Sequence, residues 1–224
     1  LLKQVADDGP GDGLGGVPEL KQLSVEDLRA IDGTKVVVID TRPWAAFKAG
    51  HVPGALHLPL NSTFSTDGGS LIAENEPIVL IIEPARVDEA VRDLIRVGLD
   101  TFTGWFDVSR MDAYLAAGGK LDSTEEKTVG EAREMLDSVK PFVLDVRRQA
   151  EFREGHIAGA TNIAHTRLLS RLGEVPKDRP ILVNCRSGAR SARACSLLER
   201  NGYRCTALAG GMLAWEQSKE HVAT

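Results

Sequence analysis

Short continuous runs of apolar residues alternate along the chain with segments that carry helix signals. The clearest runs cover residues 36–39, 77–82, 142–144 and 180–183. Apolar runs of this length are typical of strands buried on both faces. Between them lie helix starts such as Ser24, whose side chain can cap a helix together with Asp27. The alternation predicts an α/β fold in which parallel sheets carry helices on both faces.

The pattern occurs twice. An Asp-x-Arg element at residues 40–42, followed by Gly-His-x-x-Gly-Ala at 50–55, returns in the same order at 145–147 and 155–160. A repeat of this length indicates two copies of one domain, because the units of solenoid proteins are much shorter. We therefore expect one domain at residues 17–118 and a second at residues 122–224. Residues 1–16 are rich in Gly and Asp and are expected to be a linker.

Cys185 lies between the last of these apolar runs and a segment with helical character. The sequence around it reads Cys-Arg-Ser-Gly-Ala-Arg-Ser, which places a polar, doubly basic loop with one glycine at the end of a predicted strand. We read the helix from Ala192 onward, ending at Gly202. The backbone N–H groups of such a loop can turn inward and hold an anion. The positive end of the helix would add to that preference for negative charge.

We expect Cys185 to be a nucleophile whose thiolate is stabilised by this loop. An unpaired cysteine is more often a small buried residue of the core. That interpretation does not explain why a glycine and two arginines follow it. The residues expected to bind substrate around Cys185 are Arg186, Ser187, Gly188, Ala189, Arg190 and Ser191.

We expect three further residues to hold the Cys185 loop without contacting the substrate, namely Asp145, Arg147 and His156. An aspartate at a strand end can accept N–H bonds from a loop, and the arginine two residues later can pair with it. His156 has a counterpart, His51, in the first copy. Because that copy has no cysteine, both histidines are expected to be hydrogen-bonded scaffold residues rather than catalysts.

The first copy differs where the chemistry is expected. After its apolar run it reads Glu83-Pro84-Ala85-Arg86, so Arg86 aligns with Arg190, and Cys185 aligns with either Ile81 or Glu83. Pro84 removes an N–H donor, and Glu83 would repel an anion. This domain is therefore expected to carry out no thiol chemistry. It could instead wall the pocket of the second domain, hold a partner or space other domains apart.

Composition narrows the alternatives. The net charge of −5 and the pI near 5.6 argue against a nucleic-acid surface. The sequence contains no apolar run long enough to span a membrane. Its three cysteines cannot form a closed disulfide framework, which favours a reducing cytoplasm. No spacing of Cys or His pairs suggests a metal site, and no cofactor is expected.

These motifs together resemble those of the rhodanese-type sulfurtransferases. The Asp-x-Arg, Gly-His, Cys-Arg-Ser-Gly-Ala-Arg-Ser and closing Gly-Gly-Met-x-x-Trp elements occur in the order of that family, as a tandem pair with an inactive first module. The resemblance implies that Cys185 carries the transferred sulfur as a persulfide inside the loop. Residues 15–20, Gly-Gly-Val-Pro-Glu-Leu, are similar to the linker that joins metallo-β-lactamase-fold persulfide dioxygenases to rhodanese pairs. An upstream domain of that fold is a further expectation.

The function expected from the resemblance is transfer of sulfane sulfur. Thiosulfate or a low-molecular-weight persulfide would be the anionic donor, and cyanide, a thiol or sulfite would be the acceptor. One alternative is a cysteine-dependent phosphatase or arsenate reductase, but those loops place the arginine six residues after the cysteine and here Arg190 follows after five. Another is a non-catalytic redox-sensing or protein-binding module.

Overall fold

The computed structural model describes residues 17–218 and 222–223. The linker expected at residues 1–16 lies outside the described residues. Two α/β units follow each other along the chain, as the repeat predicts. Within the described part, no helix has the length and apolar character needed to cross a membrane.

The first unit has a parallel sheet with strands in the order β2-β1-β3-β4. Its strands are β1 Val37–Asp40, β2 Leu56–His57, β3 Ile78–Ile82 and β4 Phe102–Asp107. Its helices are α1 Val25–Arg29, α2 Trp44–Ala49, α3 Phe64–Leu71, α4 Val87–Ile95 and α5 Met111–Ala116. Every residue of β1 and β3 is buried, which confirms strands covered on both faces.

The second unit has a parallel sheet with strands in the order β5-β10-β9-β6-β8. Its strands are β5 Glu125–Lys127, β6 Phe142–Asp145, β7 His156–Ile157, β8 Thr161–Asn162, β9 Ile181–Asn184, β10 Cys205–Leu208 and β11 Val222–Ala223. Its helices are α6 Val129–Ser138, α7 Gln149–Arg153, α8 Ala189–Arg200 and α9 Gly211–Gln217. The short strands β7 and β11 pair antiparallel, apart from the main sheet.

Local capping explains several of these boundaries. Ser24 begins α1 with a reciprocal capping box to Asp27, and Thr128 does the same for α6 with Glu131. Helix α8 starts at Ala189, three residues earlier than the sequence suggested. The left-handed φ of +102° at Gly188 lets the chain turn from the loop directly into the helix.

Helix α8 packs against both units. The Ser196 hydroxyl accepts a hydrogen bond from the His57 amide of the first unit. At the end of the helix, Arg200 donates to the carbonyl oxygens of Gly33, Val36 and Gly54. One cluster of buried apolar side chains also contains residues of both units. The helix that follows the Cys185 loop is therefore held from the other unit along its length.

Candidate active site

Cys185 is the first residue after β9, and its loop is only three further residues long before α8 begins. β9 lies between β10 and β6 inside the sheet, so the end of the strand is fixed by neighbours on both sides. The Cys185 residue is 1% exposed. Its sulfur therefore lies at the base of a tight strand-loop-helix turn.

The sulfur is contacted from the loop above it. The Gly188 N–H donates to Cys185 Sγ at 3.1 Å, and Ser191 Oγ lies 3.6 Å from the same sulfur. The Ser191 hydroxyl also donates to the Gly188 carbonyl at 2.8 Å. Of the amides expected around the sulfur, that of Gly188 makes a hydrogen bond in the described structure. That N–H lies at the start of α8, where a helix carries partial positive charge.

A turn from the end of the chain holds the loop in place. The Met212 N–H donates to the Cys185 carbonyl at 2.7 Å, and the Leu213 N–H donates to the Arg186 carbonyl at 3.0 Å. Gly211 has a φ of +58°, and a Cβ there would overlap the Cys185 carbonyl oxygen. The glycine is needed because two backbone segments pass each other closely at this position.

Arg190 is already paired within the protein. Its guanidinium donates two hydrogen bonds of 2.7 Å to the two carboxylate oxygens of Glu151 on α7. The Arg190 hydrogen bonds lower the Glu151 pKa to about 2, so the carboxylate is ionised at neutral pH. The positive charge expected to attract an anionic donor is thus largely balanced by Glu151.

Asp145 and Arg147 lie beneath the loop and form a buried bidentate ion pair. Asp145 also accepts a hydrogen bond of 3.1 Å from Asn184, the residue before Cys185. Arg147 donates to the Gly155 carbonyl at 2.6 Å. These contacts join the ends of β6 and β9 and place Asp145 and Arg147 in support of the Cys185 loop.

His156 lies away from the sulfur contacts. Its ring stacks on Phe152 with centroids 3.8 Å apart, and its Nδ1 lies 3.0 Å from the Phe152 carbonyl oxygen. In the first unit His51 has the same arrangement with Phe47. A contact pattern present in both copies is consistent with a scaffold role for the two histidines.

Arg186, Ser187 and Ala189 have exposed positions around the loop. The Arg186 carbonyl is held by Leu213, whereas Ala189 forms the first residue of α8. The loop thus presents Arg186 and Ser187 to solvent, with Cys185, Gly188 and Ser191 gathered beneath them.

A cavity of about 340 Å³ opens beside Arg190. Both units contribute to its wall, which consists of Thr63, Asp67, Arg148, Glu151, His165, Arg190 and Arg193. The side chains are charged or polar throughout. Thr63 and Asp67 come from the first unit, so this cavity beside Arg190 is built by both halves of the chain.

The model of the rhodanese-like domain matches this chain twice, over residues 24–112 and 128–218. The chain belongs to the rhodanese-like domain family. The first match spans the whole first sheet and the second spans the second main sheet except β5, so the chain contains a pair of rhodanese-like domains.

Relatives of this rhodanese-like pair resemble one domain at a time. A sulfurtransferase of Allochromatium vinosum is 38% identical over 85 residues, which cover 38% of this chain and 79% of that protein. The thiosulfate sulfurtransferase GlpE of Shewanella oneidensis is 29% identical over 99 residues, covering 44% of this chain and 98% of that protein.

Solved structures show the same one-domain likeness. A rhodanese-related protein from Thermoplasma volcanium has 27% identity and a TM-score of 0.42, covering 44% of this chain and 97% of its own. A rhodanese-like domain protein from Staphylococcus aureus has 31% identity and a TM-score of 0.39, covering 41% of this chain and 91% of its own.

The first rhodanese-like domain has an apolar residue where the second has its cysteine. Asp40 pairs with Ile81 across the first sheet, and Asp145 pairs with Asn184 across the second. Because the two aspartates are equivalent in the repeat, Ile82 is the counterpart of Cys185. The sequence alignment to Ile81 or Glu83 was therefore wrong by one residue, since the shortened loop left its gap ambiguous.

The loop of the first rhodanese-like domain is also built differently. Residues Pro84–Arg86 form a 3₁₀ turn that leads directly into α4. Arg86, which aligns with Arg190, donates to Glu89 on its own helix at 2.8 and 2.9 Å. Glu83 stands next to Ile82 where Arg186 follows Cys185. No sulfur and no glycine turn is present at this end of the first sheet, all of which is described.

Cys195 and Cys205 lie inside the second rhodanese-like domain, away from the loop. Cys205 Sγ donates to the Cys195 carbonyl oxygen at 3.5 Å. Burial raises the pKa of the Cys195 thiol. The neighbouring Cys195 sulfur, followed by burial, raises the pKa of Cys205. Both thiols are therefore held neutral in the packed interior.

Sequence reasoning did not single out Glu151, Asp67 or Arg193. For Glu151 a signal was available, because its counterpart in the first copy is Ala46 and a carboxylate therefore appears only beside the cysteine. Asp67 has no such signal. Asp67 contacts Arg193 and His165 only because the two domains pack together, and no local motif predicts that packing.

Proposed function

We propose that the protein is a sulfurtransferase whose second domain carries sulfur on Cys185. The observation that carries the proposal is the position of Cys185 Sγ under the Gly188 N–H at the start of α8. A thiolate at this position would accept the Gly188 N–H at the positive end of α8, and it would lie at the carboxyl end of β9. The sulfurtransferase names of the relatives support the same reaction class.

In the first proposed step, the Cys185 thiolate attacks the sulfane sulfur of thiosulfate or of a small persulfide. A bond forms between Sγ and the sulfane sulfur, and the S–S bond of the donor breaks. Sulfite or a thiolate leaves with the electron pair. The resulting persulfide anion is held by the loop donors, in the manner of a covalent intermediate.

In the second proposed step, an acceptor attacks the outer sulfur of the persulfide. Cyanide would be converted to thiocyanate, sulfite to thiosulfate, and a thiolate to a new persulfide. The electron pair of the broken S–S bond returns to Sγ and restores the thiolate. The two half-reactions predict ping-pong kinetics.

We further propose that the first domain carries no sulfur itself. The support is the apolar Ile82 at the position of Cys185 and the proline-started turn after it. The Ile82 side chain cannot form a thiolate, and Pro84 has no N–H to donate.

The test is sulfur loading of Cys185. Incubation of the protein with thiosulfate is expected to add one sulfur atom to Cys185, measured by mass spectrometry of the intact chain and of its peptides. Addition of cyanide should remove that atom as thiocyanate. Cys185→Ser is expected to abolish both steps, because serine oxygen cannot form the persulfide.

Two controls accompany this experiment. Cys195→Ser and Cys205→Ser are expected to retain sulfur loading, since both thiols are buried away from the loop. Hydrolysis of a phosphate ester by the same preparation is expected to be absent. Thiocyanate formation by Cys185→Ser at the wild-type rate, or phosphate ester hydrolysis without any sulfur loading, would contradict the proposal.

A further inference from the structure

Helix α8 carries a buried arginine on the side that faces the first domain. Arg193 is 5% exposed, and Asp67 on α3 of the first domain is 3% exposed. Arg193 Nε lies 2.7 Å from Asp67 Oδ2. Its N–H is not aligned with that oxygen, so the contact is an ion pair rather than a directed hydrogen bond. A charge buried this deeply requires its partner.

The guanidinium of Arg193 also joins the start of α8 to the first domain. Its Nη1 donates to the carbonyl of Ala189 at 3.1 Å, and its Nη2 donates to Thr63 Oγ1 at 3.1 Å. The Thr63 hydroxyl contacts Asp67 Oδ2 at 2.7 Å. Asp67, Thr63 and Arg193 thus form one network across the domain interface.

Asp67 is anchored from a second side. His165 Nε2, from the second domain, lies 3.2 Å from Asp67 Oδ1. Burial alone would raise the Asp67 pKa, but the contacts with His165 and Thr63 and the charge of Arg193 outweigh it and lower the pKa. The Asp67 carboxylate is therefore ionised at neutral pH and pairs permanently with Arg193.

This network ends next to the sulfur. Ala189, whose carbonyl Arg193 holds, directly follows Gly188, the residue whose N–H donates to Cys185 Sγ. The Ala189 carbonyl and the Gly188 N–H belong to peptide groups on either side of the Gly188–Ala189 bond, so a shift of Ala189 would be passed to that N–H through the Gly188 backbone. We propose that Asp67 of the first domain is a positioning residue for the Cys185 loop and acts through Arg193. Its effect on sulfur transfer rests on the function proposed above.

The same helix offers a matched comparison at its other end. Arg200 lies near Glu76 of the first domain, with Nη2 and Oε1 3.5 Å apart. Glu76→Gln therefore removes a carboxylate from an interdomain arginine of α8, as Asp67→Asn does, but far along the helix from Cys185. Arg200 keeps its three carbonyl acceptors in this variant, so the urea midpoints of both variants are measured to separate loosening of the interface from an effect on the loop.

The first measurement is the rate of alkylation of Cys185 by iodoacetamide at one neutral pH, which needs no sulfur donor. Asp67→Asn is expected to slow it about tenfold, because small misplacements of reacting groups have effects of this size. Glu76→Gln should remain within about twofold of wild type. A purely electrostatic role predicts the opposite sign for Asp67→Asn, since loss of a negative charge favours the thiolate.

The second measurement is steady-state sulfur transfer from thiosulfate to cyanide. Asp67→Asn is expected to lower kcat about tenfold with KM changed less than about twofold, because Asp67 acts on the loop. In a cycle with Arg193→Gln, the double variant should be no slower than Arg193→Gln alone, since both changes break one connection. Asp67→Glu, which keeps the carboxylate, should recover part of kcat.

Alkylation by Asp67→Asn at the wild-type rate or faster would overturn the proposal, as would equal slowing by Glu76→Gln. If Asp67→Asn does not fold, as judged by its urea transition, Thr63→Ala takes its place. Thr63 is exposed and touches the same network, so a smaller slowing is expected, and alkylation indistinguishable from Glu76→Gln would then overturn the proposal. Failure of wild type to load sulfur would refute the proposed function alone, since alkylation tests the loop independently.

Discussion

The charge of Arg190 beside the Cys185 loop is paired with a carboxylate of the same domain. Glu151 holds both outer nitrogens of Arg190, the arginine that ends the polar loop after Cys185. In the free protein, the field at the mouth of the site is therefore weaker than two loop arginines would produce, and Arg186 remains exposed. Under the proposed function, Glu151 is expected to limit how strongly a doubly charged donor binds.

Replacement of this carboxylate gives a prediction at the residue scale. Glu151→Gln is expected to lower KM for thiosulfate roughly threefold to tenfold, because it frees the Arg190 charge. The measurement is the KM of sulfur transfer at low ionic strength, repeated in high salt, where the gain should shrink.

The control for this prediction is Glu174→Gln, which breaks the similar bidentate pair of Arg171 and Glu174 far from the loop. It should leave KM for thiosulfate unchanged. An unchanged or raised KM in Glu151→Gln would show that Arg190 does not reach the donor.

Neighbouring helices and strands fix the position of the Cys185 loop. The first turn of α9 fixes the carbonyls of Cys185 and Arg186 by two backbone hydrogen bonds. The end of β6 supports the loop from below through Asp145. The shape of the Cys185 loop therefore depends on β6, which precedes it in the chain, and on α9, which follows it.

A prediction at the element scale concerns Gly211. Gly211→Ala is expected to destabilise the fold by about 1–3 kcal/mol, because a Cβ overlaps the Cys185 carbonyl and the φ is left-handed. Sulfur transfer should fall as well, since the overlap lies at the loop. The measurements are the urea midpoint and kcat.

The matched control is Gly130→Ala in α6, where a Cβ would meet no atom within 4 Å. It should stabilise the protein by about 0.5–1 kcal/mol and leave kcat unchanged. Equal urea midpoints and equal kcat for Gly211→Ala and wild type would refute the proposed close approach.

The elements around the loop were predictable to different degrees. The strands at residues 37–40, 78–82 and 181–184 follow from apolar runs, because both faces of a central strand are buried. The sequence predicted the start of α8 at Ala192 rather than at Ala189. Glycine is a poor helix former, and the positive φ that lets Gly188 lead directly into the helix is known only from the structure. Register between strands, which identified Ile82, exists only in the folded sheet.

At the scale of the whole molecule, the interface between the domains contains a second titrating contact. Glu199 on α8 accepts a hydrogen bond of 2.7 Å from Thr124, and its Oε2 lies 3.9 Å from His51 Nε2 of the first domain. Burial raises the Glu199 pKa to about 7, against the lowering effect of the Thr124 hydrogen bond. The interface is thus most favourable when Glu199 is protonated.

The consequence is a dependence of stability on pH. A carboxyl group whose pKa is raised on folding stabilises the native state below its unfolded pKa, near 4.5, and that stability is lost as pH rises through about 7. Glu199→Gln, which does not titrate, should match wild type near pH 5 and exceed it by up to about 3 kcal/mol at pH 8. The measurement is urea unfolding across this range.

Glu216→Gln, an exposed position on α9, serves as the control and should follow the wild-type curve at every pH. Parallel curves for Glu199→Gln and wild type between pH 5 and 8 would contradict the assignment of this titration to Glu199.

The fold of each domain was predictable from the sequence, but the interface between the two domains was not. The repeat and the loss of the cysteine are visible in the residue order, whereas contacts such as Asp67 with Arg193 join residues with no shared motif. Pairing across domains depends on which helix faces meet. That geometry is determined only after both sheets have formed.

The shared helix has an evolutionary consequence. Arg193 and Arg200 find their carboxylates and carbonyls in the Cys-less copy, so a gene fragment that encodes the cysteine copy alone would leave two cations without their partners. Moving the Cys185 domain alone into another protein is therefore expected to require replacement of both arginines. Under the proposed function, the Cys-less domain would be retained for the partners that it supplies to its neighbour.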